Sequence, residues 1–323
     1  MRVTAARERL AEQAAFTVRR VLVLLNSGAG ALRKTPIESV QNDISAAFSQ
    51  HGIAVEIVPV AGADLAMEAA QGLERAECGE IGAVVVAGGD GSVQTVAAKL
   101  ADTRVPLGIL PLGTLNHLAK DLGIPLSIKE AAATIAAGYT RDIDLGEVNG
   151  ETFINNSSIG IYPYLVIARE RRRAAHRFAK WMAMVPAFFR MLRHFPRRRL
   201  RISAEGWVQP YRTPCLFVGN NEYTTELLSF GKRPRLDKGT LWFYVVKPRT
   251  PPDFFLMIWR LCFSHLDQDR DLDRFTFSAA KIEAKSSRLP VALDGEVKVL
   301  RSPLNYRSRP GALRVIAPDK PRA

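Results

Sequence analysis

From Arg19 onward the apolar positions of the chain alternate between two periods. RRVLVLLN (19–26) is a continuous apolar run of strand length. PIESVQNDISAAFSQHG (36–52) spaces its apolar residues by three and four, the helical interval, and IAVEIVPV (53–60) returns to a strand. The cycle repeats with helical DLAMEAAQGLERAE (64–77), strand IGAVVVAGG (81–89) and helical SVQTVAAKLADT (92–103). A short strand, PLGIL (106–110), then leads into helical TLNHLAKDLG (114–123) and SIKEAAATIAAG (127–138). Strands that alternate with helices predict a parallel sheet covered on both faces.

Around Thr140 the grammar changes. RDIDLGEVNGETFINNSSIGI (141–161) reads as two strands joined across Asn149-Gly150, a dipeptide that favours the tight hairpin turn. After a basic helical stretch (162–195) come the strand-like runs RLRISAEGW, PCLFVGN, GTLWFYVVK, FTFSAAKIEAK, PVALDGEVKVL and ALRVIAP. PPDFFLMIWRLCFSHL (251–266) reads as one inserted helix. The expected architecture is an α/β domain with a parallel sheet at 17–140, followed by a mainly antiparallel β domain at 141–318.

Composition places this pattern in the globular class, with 323 residues, 47% hydrophobic and 24% charged. Charge changes the picture more. Of a net +13, the stretch from Arg169 to Arg201 carries eleven Arg and one Lys against one Glu, interleaved with Phe178, Trp181, Phe188, Phe189 and Phe195. Such a stretch wants an anionic partner, a nucleic acid or a membrane with acidic lipids. No nucleic-acid fold or stacking motif accompanies it, so nucleic acid is not expected; a helix packing its aromatics onto the β domain is the plainer alternative. Cys78, Cys215 and Cys262 have no metal-ligand spacing and suit a reducing compartment. The first residues lack the apolar core of a signal peptide, and the most apolar later runs are short and broken by Arg190 or Arg260. His117, His176 and His194 each stand alone, which suits packing or surface roles.

Three strand ends carry chemistry. After the first comes NSGAG (Asn26, Ser27, Gly28, Ala29, Gly30); after the third GGDGSVQ (Gly88, Gly89, Asp90, Gly91, Ser92, Val93, Gln94); after the fourth PLGTLN, with Thr114 and Asn116. One glycine-rich turn is ordinarily just a turn. Three at the carboxyl ends of one parallel sheet form an anion cradle, because bare backbone lets phosphate approach the amides and a following helix adds its dipole. Asp90 adds a carboxylate suited to a metal. Neither the Walker pattern nor the dinucleotide GxGxxG is present.

In order and spacing, LLNSGAG, VVAGGDGSVQTVAAKL, GILPLGTLNHLAKDLGIP, INNSSIGI, VGNN and LDGE resemble the diacylglycerol kinase catalytic family, which includes bacterial lipid kinases and sphingosine kinases. The resemblance implies a phosphofructokinase-like nucleotide-binding α/β domain followed by a β-sandwich domain. It implies ATP held by residues 26–30 and 88–94, with Thr114 on the phosphates, and Glu296 of LDGE as general base with Asp294 beside it. Asp90 would then anchor the Mg²⁺ carried by ATP, since Mg²⁺ takes one or two carboxylates plus phosphate oxygens. A lipid is the implied acceptor. A cytoplasmic enzyme that touches the inner membrane face through residues 169–201, and that can form a homodimer, completes the expectation. GGDG alone is shared with NAD kinases, so a soluble NAD kinase-like enzyme is the alternative, as is a non-catalytic lipid- or nucleotide-binding protein that keeps the fold.

The chain also departs from the family pattern. Relatives read GGDGT followed by Asn and Glu, where this chain has Ser92, Gln94 and Thr95. A family threonine after the second strand falls at Val60 or Ala61. In RPRLDKGTL (233–241) an aspartate expected to bind a structural magnesium is Lys238, so the lysine ammonium is expected to replace the ion, with Asp237 left as a weaker metal site. YTTELLSFGK (223–232) replaces a glycine-rich segment.

Overall fold

The computed structural model describes residues 18–33, 35–161, 197–223, 233–247, 250, 252–254, 256–257 and 271–319. Two compact units divide the chain: Met1–Asp144 with Gly311–Ala323, and Leu145–Pro310.

The first unit is an α/β layer structure. Its strands β1 (Arg20–Asn26), β2 (Ala54–Val60), β3 (Ala83–Gly88) and β4 (Leu107–Pro111) lie parallel in the order β2-β1-β3-β4. Every residue of β3 is buried, as an apolar run covered on both faces requires. The helices are α1 (Ile37–Ser49), α2 (Leu65–Glu77), α3 (Asp90–Leu100), α4 (His117–Asp121) and α5 (Ile128–Ala137). Helix α1 buries Val40, Ile44, Ala47 and Phe48, the stripe that its three-and-four spacing predicts. Helix α5 starts at a reciprocal cap, in which the Ser127 hydroxyl oxygen accepts the Glu130 N–H and its O–H donates to the Glu130 carboxylate, and stops at Gly138 in the left-handed region. The chain runs outward from β1 to β2 and then returns to the other side of β1 with β3. That reversal opens a crevice beyond the carboxyl ends of β1 and β3.

Strand β5 (Thr140–Val148) leads into the second unit, and strand β16 (Leu304–Ile316) leads back. The expectation that ALRVIAP closes the second domain is corrected here: Val315 pairs in parallel with Leu107, and Ala317 N–H donates to the Tyr139 carbonyl at 3.0 Å. The end of β16 thus completes the first sheet, and the second unit runs over 145–310 rather than 141–318.

The second unit is a sandwich of antiparallel strands. One sheet has the order β12 (Leu272–Phe277), β11 (Leu241–Val246), β10 (Cys215–Asn220), β7 (Asn156–Gly160), β14 (Arg288–Leu293) and β15 (Glu296–Arg301). Facing it, the first part of β16 pairs with β13 (Ala279–Ala284), followed by β8 (Arg198–Ala204) and β9 (Trp207–Thr213), while β5 pairs with β6 (Glu151–Phe153). Alternate residues of both sheets, among them Ile202, Val218, Phe243, Ile282, Val291 and Tyr306, fill one core. Asn149 and Gly150 both adopt positive φ, giving the hairpin their sequence predicts. Two expected single strands each split between the sheets: 151–161 breaks after β6, and FTFSAAKIEAK breaks at Ser278. Strand β9 was not expected from its polar, proline-containing sequence. It lies at the sheet edge, the place in a sheet where proline is tolerated. Among the described residues no helix is long and apolar enough to cross a membrane. The basic helix expected at 162–195 lies outside the described residues, as does most of the helix expected at 251–266; Pro252–Phe254 and Leu256–Met257 are helical.

Candidate functional site

The crevice beyond β1 and β3 gathers all three glycine-bearing loops. Asn26, the last residue of β1, donates through Nδ2 to the Ser92 Oγ in α3 at 2.7 Å and accepts the Gly28 N–H on Oδ1 at 2.9 Å. Ser27 is tied to the end of β2, its N–H and its hydroxyl both donating to the Val60 carbonyl at 2.9 and 3.1 Å. The position where relatives place a threonine therefore contributes its backbone. Asp90 accepts the His117 N–H on Oδ1 at 2.6 Å, pinning the first residue of α4 to the first residue of α3.

Glycine is required where these loops meet. A Cβ on Gly113 would stand 2.5 Å from the Gly89 Cα, so the third loop can lie against the GGDG turn only because both residues lack side chains. Asn116 holds its loop in shape: it sits in the left-handed region, accepts the Gly113 N–H at 3.0 Å and donates to the Gly113 carbonyl at 2.9 Å. Its buried amide shapes the loop, whereas Thr114 is exposed with its Oγ1 3.5 Å from where a Cβ on Gly30 would stand. Ala29 is buried in a turn closed by its N–H on the Asn26 carbonyl. Val93 and Gln94 are buried in α3, and Thr95 turns its hydroxyl back to the Gly91 carbonyl at 3.0 Å.

Helix α3 begins with Asp90 and has no side-chain cap on its first turn. The leading N–H groups of a helix have no partner within it, and its dipole concentrates positive potential there. An uncapped helix start between two pinned glycine loops fits a phosphate chain. Asp90 uses only Oδ1 among the described residues, which leaves Oδ2 for a cation carried with that phosphate.

In the second unit, LDGE forms the turn between β14 and β15. Asp294 and Gly295 both have positive φ (47° and 91°), and Leu293 pairs with Glu296 across them. Glu296 opens β15 with an exposed side chain. Asp294 does something different. Its Oδ2 accepts the Ile154 N–H at 2.7 Å, and its Oδ1 accepts the N–H groups of Asn155 and Asn156 at 2.7 and 2.9 Å. Burial pushes this carboxyl above its ordinary value, opposed by the three N–H donors and the charge of Arg233. The three N–H donors and the guanidinium favour the ionised carboxylate, against the burial that disfavours it. Asp294 thus holds the backbone of 154–156 in place.

The same segment is held from its carbonyl side by a residue that the sequence did not single out. Arg233 is 3% exposed and donates to the carbonyls of Ile154 and Asn220 at 2.7 and 3.2 Å and to Asn155 Oδ1 at 2.7 Å. Lys238, expected to stand in for an ion, instead has its ammonium 3.4 Å from Glu222, and Asp237 gives both oxygens to Arg235 at 2.8 and 2.9 Å. These residues do not fit a structural magnesium, and among the described residues no three His, Cys, Asp or Glu cluster as metal ligands. The signals available were the blocks INNSSIGI and VGNN, which supply Ile154, Asn155 and Asn220; Arg233 has no motif of its own.

Comparison with known proteins bears on both units. Residues 20–148 match the family model of the diacylglycerol kinase catalytic domain. A stretch of 91 residues is 43% identical to a diacylglycerol kinase of Bacillus subtilis (strain 168), covering 27% of this chain and 30% of that relative. Over 92 residues the chain is 41% identical to a Yersinia pestis (strain Pestoides F) protein named "Probable lipid kinase YegS-like", covering 27% of this chain and 31% of that one. The aligned stretches thus span under a third of the length of these relatives. A crystal structure of a diacylglycerol kinase from Bacillus anthracis str. Sterne superposes with a TM-score of 0.69 at 22% identity, covering 94% of this chain and 98% of that one. A second crystal structure from the same organism gives 0.71, also at 22% identity, over 95% and 97%. At that identity the likeness is one of fold, and it extends through both units.

Proposed function

Since residues 20–148 match the diacylglycerol kinase catalytic domain, we propose that this chain is a lipid kinase that moves the γ-phosphoryl group of ATP to a lipid hydroxyl, with a diacylglycerol-like molecule as acceptor. The observation that carries the reading is the uncapped start of α3, set between loops joined by the Asn26–Ser92 and Asp90–His117 bonds. A phosphate chain needs converging amides there and a carboxylate for its cation, and the sequence supplies both.

When bound, ATP supplies the phosphoryl group, and Mg²⁺ on it offsets the negative charge that would repel the acceptor oxygen. The chain's part is positioning and proton handling. The amides of Gly89, Asp90, Gly91 and Ser92 orient the phosphates, Asp90 Oδ2 holds the cation, and Thr114 Oγ1 donates to a phosphate oxygen. Gly28 and Gly30 leave the backbone of the first loop bare for the same chain. Glu296 takes the proton from the lipid hydroxyl as that oxygen attacks. Asp294 and Arg233 fix the turn from which Glu296 projects. The lipid acceptor implies contact with a membrane surface.

The test is incubation of the purified chain with labelled ATP, Mg²⁺ and a total lipid extract, with identification of the labelled product. Glu296→Gln is expected to lower turnover by about 100-fold or more while nucleotide affinity stays within about twofold. Retained turnover removes Glu296 from the mechanism, and label appearing on NAD in place of a lipid overturns the acceptor class.

A further inference from the structure

The outer face of the edge of the second unit's sandwich carries a basic depression that the kinase chemistry does not use. Across β8 and β9, Arg199 stands opposite Arg212, Arg201 opposite Pro210 and Ser203 opposite Val208. Directly opposed residues share a face. The alternate residues Leu200 and Ile202 are buried in the core, so these pairs face outward. Together with Lys285 and Glu283, the three arginines and Pro210 line an open depression of about 460 Å³.

Its charge is unbalanced. Glu283, opposite Arg201 on β13, is engaged by Lys281 at 2.7 Å. Arg199, Arg212 and Lys285 make no ion pair among the described residues. Like charges set directly opposite each other across a ladder destabilise it. Protecting the sheet edge accounts for a cation and a proline on β9, but not for Arg199 on the inner strand β8 or Lys285 beyond the end of β13.

The apolar residues of the face narrow the partner. Val208 is 49% exposed and shares the face with Pro210 and the arginines. The rings of β9 are engaged within the unit: Trp207 lies 4.9 Å from Phe275, and Tyr211, which also lines the depression, stacks on Phe275 at 6.1 Å. A face for single-stranded nucleic acid would present those rings for stacking. Cations interleaved with exposed aliphatic side chains match the boundary between lipid headgroups and acyl chains.

We propose that this face docks on an anionic phospholipid surface, with headgroup phosphates in the depression between Arg199, Arg201, Arg212 and Lys285 and with Val208 at the acyl boundary. The proposal deepens the lipid-kinase reading, on which it rests for the identity of the surface, and its test needs no turnover. The full chain is sedimented with vesicles of phosphatidylcholine alone and with vesicles containing phosphatidylglycerol. Arg199→Ala/Arg212→Ala is expected to weaken binding to the anionic vesicles about 20-fold, since each basic residue near such a surface contributes about fivefold. Arg104→Ala/Lys129→Ala, which removes the same charge from exposed positions of the first unit, is expected to stay within about twofold of the unaltered chain. Equal losses in both variants, or none in the first, overturn the proposal. So does a first variant that keeps vesicle binding and loses binding to single-stranded nucleic acid. Circular dichroism is expected to be unchanged in both. Phosphorylation of a detergent-dispersed acceptor by Arg199→Ala/Arg212→Ala is expected to match the unaltered chain, so failure of docking and failure of the kinase reading are separately visible.

Discussion

The glycine corner of the first unit and the Asp-Gly turn of the second use an aspartate in the same way, but to different extents. Asp90 gives one oxygen to one main-chain N–H, at 2.6 Å. Asp294 gives both oxygens to three, at 2.7 to 2.9 Å, with the buried Arg233 holding the other side of the segment. An acid that gives both of its oxygens to the backbone is a structural clamp. One with an oxygen to spare can clamp and still meet a cation. What separates the two corners is how much of each carboxylate the backbone consumes.

The same isosteric change, aspartate to asparagine, should therefore act on different properties in the two places. Asp294→Asn puts an NH₂ where an oxygen now accepts an N–H, and it removes a negative charge that interacts with Arg233. We expect a loss of about 3 kcal/mol in the second unit, the cost of removing one partner from a buried charged network. All four tryptophans of the chain lie between Leu145 and Pro310, so tryptophan fluorescence during denaturant unfolding reads this unit. A loss under about 1 kcal/mol would mean that the clamp can be dispensed with.

The contrast also explains what could be read from the sequence. The first corner is built from local signals. Each glycine loop follows its own apolar strand, and the rule that ligands gather at the carboxyl ends of a parallel sheet brings them together. Hence Asn26, Gly28, Asp90, Ser92 and Thr114 were legible as one group. In the second unit the Asn149-Gly150 and Asp294-Gly295 turns were equally legible as turns. The work of Asp294 was not, because its partners at 154–156 lie about 140 residues away in sequence and the pairing of β14 with β7 alone brings them close. Arg233 was invisible for the same reason: a lone arginine in a polar loop carries no periodicity. Strand β9 was missed because tolerance of Pro210 depends on its being an edge strand, which is a property of the assembled sheet.

At the first corner, Asp90→Asn keeps an amide oxygen for the His117 N–H, so the fold should change by no more than about 0.5 kcal/mol. It removes the negative charge from the position proposed to hold the cation. Nucleotide affinity in the presence of Mg²⁺ is expected to fall about tenfold, with little change when Mg²⁺ is absent. Calorimetric titration with and without the metal checks this. Equal weakening in both conditions would assign Asp90 a purely structural part and erase the contrast with Asp294.

The smallest expected effect tests whether the first corner is held by hydrogen bonds or by close packing. The Ser92 hydroxyl takes the Asn26 side chain, which in turn fixes Gly28, so Ser92→Ala unties the first loop from α3. Losing one partly buried hydrogen bond should cost about 1 kcal/mol. Tryptophan fluorescence is blind to this unit, but faster amide hydrogen exchange at Asn26 and Gly28, with β3 unchanged, would report it. Packing gives the opposite expectation. A Cβ on Gly88 would meet Ser92 Cβ and Oγ at 2.6 Å, so the backbone of β3 already rests directly on this residue, and alanine retains the Cβ that it rests on. If that contact alone held the corner, Ser92→Ala would leave exchange unchanged. Ser92→Thr separates the two accounts further, because it restores the hydroxyl and adds volume: exchange should return to that of the unaltered chain if the Asn26 bond is the tie, and should rise further if packing is.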